Sequence, residues 1–337
     1  MPFLKHLRWL IALLASGGGL WFVLHGTDWA SLFSSLAHLK FPYALLVIPL
    51  AALIEFSLRT LRWQILLRPL GGGAWKDYFP VTAGAFFVNN ILPFRAGEWA
   101  RVWWTHQKSG VPISSCLAVL VVDRIFDTLC IFTLAGLVFI FKASLFSSRG
   151  ILWALGGTAL GALAALGLLA RHPGLVKNWL EQGWVPRPLR LWAGQFLEGA
   201  KALQSWRNLA LVYGLSIAFW AMTVCVFQIT GRLFSLSLSW VDGAWLVVAF
   251  CLGAALPAAP GYVGTLEAAG VAALVSLGYS RQTAFPFVLT LHACQILTTA
   301  LLGVPSLWKA GLSIRRSPAS ASFPEPAISR STEASQG

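Results

Sequence analysis

An all-α polytopic membrane protein is the fold class this sequence predicts, and three observations carry it. Hydrophobic residues make up 57% of the 337 and charged residues only 11%, where a soluble domain carries roughly a quarter charged residues. The apolar residues gather into eight segments joined by short, mostly basic links. Two of the eight are short and interrupted by Pro, Gly or Asn, so the expectation is about six full transmembrane helices plus two re-entrant broken helical hairpins. Residues 1–316 then form one transmembrane domain, and 317–337, rich in Ser, Pro and Ala, a disordered cytoplasmic tail.

In chain order, Lys5 and Arg8 precede a first, uncleaved span at about Trp9–Leu24, and a second follows at about Phe41–Leu58. Arg59, Arg62, Arg68 and Lys76 read as a basic loop around Gly71, Gly72 and Gly73. The third segment, Tyr78–Leu92, reaches about 22 Å at about 1.5 Å per residue, short of the roughly 30 Å hydrocarbon core. It ends in Asn89, Asn90 and Pro93, which interrupt helical hydrogen bonding, so it reads as a half-helix with Gly97–His106 as its return. Pro112–Phe141 is a long span, and Ile151–Ala170 another.

Within the basic stretch 171–207, Leu189, Trp192, Phe196, Ala200 and Leu203 recur at helical spacing, the pattern of a helix lying on a membrane surface. Leu209–Leu233 is a span. Trp240–Leu277 is the second broken element, its centre marked by Pro257, Pro260, Gly261 and Gly264, with Glu267 just beyond. Thr283–Trp308 is the last span.

The formal net charge of +13 does not point to nucleic acid, because the basic residues sit between apolar segments. With both termini cytoplasmic, only Lys40, Lys142, Arg149, Arg232 and Arg281 of the 25 Lys and Arg fall outside, which satisfies the positive-inside rule. Each half then reads span, span, broken hairpin, span, and the halves start from opposite sides. Leu92-Pro93 with Gly97 and Glu98 matches Leu256-Pro257 with Gly261 and Glu267, so an inverted repeat is expected.

Charged groups at membrane depth cost several kcal/mol each unless paired or facing a wet cavity, so they are the functional candidates. Arg95, Glu98 and Arg101 share a helical stripe, on which Glu98 can pair with either arginine. Asp123 and Asp127 share a face at i, i+4, and Arg124 reaches Asp127 at i, i+3. One reading is a site where Arg95, Arg101 and Arg124 hold an anionic lipid head group while Glu98, Asp123, Asp127 and Glu267 pair and gate. The other is an interfacial cap with snorkelling arginines beside a structural ion-pair network. Broken backbone around Asn89, Asn90, Pro93 and Gly97 favours a cavity, and hence function. For Glu267, simple capping of a helix start is an alternative. Glu55 and Arg59 form a local pair, and His292 packs as a lone histidine in an apolar span.

Five scattered cysteines without CxxC spacing indicate neither zinc nor disulfides. No GxxxxGK[ST], HExxH or GxSxG is present, so no cofactor, metal or catalytic residue is expected, and the protein reads as a transporter rather than an enzyme.

Asn90-x-Leu92-Pro93-x-Arg95-x-Gly97-Glu98-x-x-Arg101, Asp123-Arg124-x-x-Asp127 and Pro257-x-x-Pro260-Gly261-x-x-Gly264-x-x-Glu267 occur in this order. Together they resemble the lysylphosphatidylglycerol synthase transmembrane region, also called the flippase-like or UPF0104 family. The resemblance runs from about Lys5 to Arg316 and implies an inner-membrane protein that translocates or presents an anionic or glycosylated lipid. The soluble aminoacyltransferase domain of two-domain relatives is not expected, so neither is lysyl transfer by this chain alone. The first acidic position of DRxxD is often Glu in relatives and is Asp123 here, which leaves the charge pattern intact. The implied partners are a membrane lipid (phospholipid, hopanoid or polyprenyl-linked) and a separate lipid-synthesis enzyme. The alternatives are a membrane enzyme or accessory factor in lipid-linked sugar, hopanoid or aminoacyl-phospholipid biosynthesis.

Overall fold

A computed structural model describes residues 14, 16–25, 28–37, 41–92, 94–145, 150–172, 186–256 and 259–309. Pro93, Pro257, the start of the first expected span, Lys40, Arg149 and the 317–337 tail lie outside the described residues. Helix α1 covers residues 16–24 and α2 Trp29–Ala37, followed by α3 (Phe41–Leu67), α4 (Trp75–Ile91), α5 (Ala96–Ser109), α6 (Ile113–Phe141) and α7 (Gly150–Arg171). After these come α8 (Arg187–Gly199), α9 (Trp206–Leu233), α10 (Trp240–Ala255), α11 (Thr265–Ser276) and α12 (Arg281–Lys309).

Local chemistry sets the boundaries. The Asp77 carboxylate accepts the Ala74 amide at 3.0 Å at the start of α4. Gly110, at φ 70°, ends α5 in the left-handed region that glycine adopts without strain. Ser239 and Asp242 form a reciprocal capping box at the start of α10, and Asp242 also binds Lys142 at 2.5 Å. Asp242→Ala removes both contacts and is expected to lower stability by about 1–2 kcal/mol, read as an earlier thermal transition of detergent-solubilised protein.

The helices pack as two similar sets, α3–α6 and α9–α12. Arg62 of α3 donates to Ser216 of α9 while Arg59, one turn earlier, lies over Phe219 and Trp220, one turn later. The two helices therefore run antiparallel. The last helix of each set packs against the first hairpin arm of the other. Thus α12 meets α4, with Leu307 against Gly84 and Thr299 bonded to Asn90, and α6 meets α10, with Ala135 against Val248 and Lys142 bonded to Asp242. One apolar core gathers Phe219, Phe227, Phe250, Leu274 and Phe287, and a second gathers Trp63, Leu66, Val119, Phe126 and Leu203.

Two expectations are corrected, the end of the second span and the surface helix. Ile113–Phe141, Trp206–Leu233 and Arg281–Trp308 have the length and apolarity of membrane-crossing helices, and Gly156–Ala165 and Trp240–Ala255 are shorter apolar helices. Among the described residues these three are the clear spans by length and composition, with the two shorter apolar helices beside them. Furthermore, α3 does not end at Leu58 in a basic loop but continues to Leu67. Arg59 and Arg62 are helical and buried, because carboxylates neutralise them.

The expected surface helix also differs. Leu189 and Trp192 are exposed, but Ala200 and Leu203 are buried, and α8 packs on α6, where Gly199 comes so near Ser115 that no Cβ would fit.

Candidate functional site

The charged side chains that the sequence scatters over 65 residues of chain meet at one place. Arg62, 1% exposed, points from α3 toward α6 and binds Asp123 and Asp127 at 2.7 Å each. Arg101 of α5 reaches the other Asp123 oxygen at 3.2 Å and stacks its guanidinium 3.9 Å above the Trp63 ring. Arg124 binds Asp123 at 2.6 Å, Asp127 at 3.1 Å and Glu98 at 3.4 Å. Glu98 pairs more loosely with Arg95, at 3.7 Å. Asp123, fully buried, is thus shared by three arginines. Glu98 pairs with Arg95 and Arg124, while Arg101 turns to Asp123 instead.

Exposure divides the cluster. The side chains of Arg62, Arg101, Asp123 and Asp127 are nearly inaccessible, whereas those of Arg95 and Arg124 are 42% and 31% exposed. Counting Arg62, Arg95, Arg101 and Arg124 against Glu98, Asp123 and Asp127, the cluster carries one unit of surplus positive charge. Arg59 has its own partner, Glu55, at 2.8 Å. Donors are in surplus too: Arg62 Nε, Arg101 Nε and Nη2, and Arg124 Nε are buried without a hydrogen-bond acceptor among the described residues, against one carboxylate oxygen, Asp123 Oδ1, without a hydrogen-bond donor. Buried donors of charged groups are costly to leave unmet.

The broken elements converge on this cluster. Phe94 and Arg95 both take left-handed backbone at φ 58° and 54°, a strained arrangement for residues with side chains. It turns the chain between α4 and α5 and sends Arg95 Nη2 to the Ala254 carbonyl at the end of α10, 3.1 Å away. Asn89 Oδ1 accepts the Gly97 amide at 2.7 Å, and Asn90 donates to Thr299 Oγ1. A Cβ on Gly261 would lie 3.3 Å from the Asn90 carbonyl, so the two turns touch. Tyr262, at φ 61°, is within electrostatic reach of Arg95, Glu98 and Arg124.

Glu267 does not join the arginines. It accepts the Gly264 amide at 2.7 Å and faces His292 Nδ1 at 2.6 Å, while His292 Nε2 meets the Gly261 carbonyl at 2.8 Å. Pro260 and Gly261 begin this turn, and Gly264, at φ 91°, comes so close to Ser16 that a Cβ would stand 2.1 Å from its carbonyl oxygen. The five cysteines are free thiols. Among the described residues no three His, Cys, Asp or Glu are placed to share a metal ion.

Sequence reasoning missed Arg62 and His292. The signal for Arg62 was present: Leu61, Trp63, Ile65, Leu66 and Leu67 continue the apolar run beyond Arg59. His292 gave none beyond being a lone polar group in an apolar segment.

Comparison with known proteins shows which family the chain belongs to. A stretch of 91 residues is 33% identical to a glycosyltransferase AglD of Haloferax volcanii, covering 26% of this chain but only 14% of that protein. A UPF0104 membrane protein of Methanothermobacter thermautotrophicus is 25% identical over 248 residues, 65% of this chain and 72% of the relative. The family model for the lysylphosphatidylglycerol synthase TM region matches residues 9–303, almost the whole chain, and the protein therefore belongs to that family.

Proposed function

We propose that this protein translocates, or presents for translocation, an anionic or glycosylated lipid, with its head group at the Arg95–Arg124 face of the charge cluster. The observation that carries the reading is the surplus of guanidiniums over carboxylates at membrane depth, together with four buried donors lacking acceptors. A phosphate supplies the missing charge and an acceptor for the most accessible of these side chains, Arg124, and guanidinium forks match it bidentately. Arg95 and Arg124 make the first contact, Arg101 lies behind them, and Glu98, Asp123 and Asp127 hold the arginines in place. Glu267 acts separately, on the second turn. A phospholipid, hopanoid or polyprenyl-linked lipid fits equally, since the tails remain in the bilayer. The partial likeness to a glycosyltransferase favours lipid-linked sugars as the second class to try.

Antiparallel pairing of α3 with α9, and of each closing helix with the other set's hairpin, supports an inverted repeat. The full arrangement is six crossings and two re-entrant hairpins, one open to each side, in the cell inner membrane with both termini cytoplasmic. The transmembrane domain spans 1–316, with 317–337 as a cytoplasmic tail. Asn89, Asn90, Pro93 and Gly97 form the hinge of one hairpin, and Pro257, Pro260, Gly261 and Gly264 that of the other. Alternating access is then the rocking of one hairpin against the other around a site near the midplane.

The test is the flipping of fluorescent phosphatidylglycerol in proteoliposomes, read by dithionite quenching. Wild-type protein accelerates it above protein-free vesicles. Arg95→Ala, at an exposed position, leaves folding intact and slows movement roughly ten- to a hundredfold, the worth of one charge-assisted hydrogen bond. No acceleration by the wild type, with this lipid or a lipid-linked sugar, would overturn the reading.

A further inference from the structure

The Glu267–His292 pair is a second ionisable site, bonded to the Pro260–Gly264 turn and to none of the arginines. Both residues are buried. His292 Nε2 lies 2.8 Å from the Gly261 carbonyl, which only accepts, so Nε2 carries a proton. His292 Nδ1 lies 2.6 Å from Glu267 Oε1, a distance that needs a second proton between them. Neutral imidazole has one N–H and a carboxylate has none. The pair therefore holds one proton more than a neutral histidine beside a carboxylate would, whether written as imidazolium and carboxylate or as imidazole and carboxylic acid.

We propose that this pair is a proton-coupling site: it binds one proton when the turn is closed and releases it when the turn opens. Without that proton, one lone pair must face another, either at Nδ1 and Oε1 or at Nε2 and the Gly261 carbonyl. The turn then loses a tie it needs. Four hydrogen bonds hold it: His292 to the Gly261 carbonyl, the Gly264 amide to Glu267 at 2.7 Å, the Ala259 amide to Ser16 Oγ at 2.7 Å, and Thr265 to the Tyr262 carbonyl at 3.2 Å. The protonated pair supplies two of the four, in a segment whose Gly261, Tyr262 and Gly264 all have positive φ.

The charged groups on the surrounding helices are engaged elsewhere. Asp242 of α10 binds Lys142, Arg281 of α12 binds the Phe22 carbonyl, and Asp77 of α4 binds the Ala74 amide. Arg95 meets α10 at Ala254, not the pair, and Tyr262, Cys251 and Cys294 are neutral side chains. Because the same turn touches Asn90 of the first hairpin, opening it changes the wall of the arginine site. What the proton drives rests on the translocator reading above; the proton itself is read on the pair.

Glu267→Gln is the decisive variant. Its carbonyl accepts the Gly264 amide, its amide donates to His292 Nδ1, and His292 Nε2 still donates to Gly261. Every bond of the closed turn is kept, and no proton remains to release. The first measurement follows the ring nitrogens of His292 by nitrogen-15 NMR of full-length protein in phosphatidylethanolamine–phosphatidylglycerol nanodiscs, assigned by their loss in His292→Gln. In the wild type Nδ1 passes from a proton-bearing to a bare nitrogen across the pH series, whereas in Glu267→Gln it is bare throughout. The second drives fluorescent phosphatidylglycerol across proteoliposomes with a pH gradient. One proton per lipid biases its distribution by about tenfold per pH unit, and Glu267→Gln abolishes that bias. A His292 ring that never titrates in the folded wild type overturns the proposal. So does wild-type lipid movement indifferent to the gradient, while a wild type that moves no lipid overturns the translocator reading instead.

Discussion

Arg62→Ala is expected to destabilise the protein by about 3–5 kcal/mol, the cost of removing one partner from a buried ion pair. Asp123 and Asp127 each lose a contact of 2.7 Å, and Arg101 and Arg124 cannot replace it because both approach from other sides. The loss appears as a collapse of monodisperse protein on size-exclusion chromatography and a lower thermal transition. Arg62→Met and Arg101→Met with Asp123→Asn and Asp127→Leu, which removes the four buried charges together and leaves Arg124 to Glu98, should recover much of the stability, since apolar replacements of a whole buried network are often neutral. A single mutant as stable as the wild type would mean that water already solvates the cluster from the α3 side.

Gly97→Ala is the second large effect. A Cβ there would stand 1.9 Å from the Ala85 carbonyl oxygen and 2.7 Å from Asn89 Oδ1, so α4 and α5 must separate by more than an ångström. Overpacking of this kind costs about 1–3 kcal/mol, and loss of the Asn89 bond to the Gly97 amide adds about 1 kcal/mol. Both fall on the turn that aims Arg95 at α10. The expected result is a folded but loosened protein whose lipid movement drops with its stability, measured by thermal transition and dithionite assay on one preparation. An Arg95→Ala protein behaves differently, losing movement while keeping its thermal transition. The two variants together separate the architecture of the turn from the charge it carries.

Much of this site was legible before the structure because charge in an apolar chain is conspicuous. Arg95, Glu98, Arg101, Asp123, Arg124 and Asp127 stand out, and the pairing of Arg124 with Asp127 follows from helical spacing. The hairpins were legible from residues that end helices, Pro93 in one and Pro260-Gly261 in the other, although α4 runs on through Asn89 and Asn90 to Ile91. Arg62 was hidden by its neighbours: with Arg59 and Arg68 nearby, it looks like a positive flank at a membrane boundary. Only its partners, 61 and 65 residues away, show that it is the centre of the network. Glu267 and His292 were hidden similarly, since their bond depends on α11 and α12 folding back on each other. Local pattern reveals which groups are costly to bury, whereas tertiary contact decides which of them offset one another.

The most direct test of the central claim, an arginine-rich site for an anionic head group, is native mass spectrometry of lipid retained by the intact protein. Wild type and Arg95→Ala would be released from nanodiscs containing equal amounts of phosphatidylglycerol and phosphatidylcholine. The account predicts preferential retention of phosphatidylglycerol by the wild type, lost in Arg95→Ala and partly restored in Arg95→Lys. Equal retention of the two lipids by the wild type, or undiminished preference in Arg95→Ala, would contradict it.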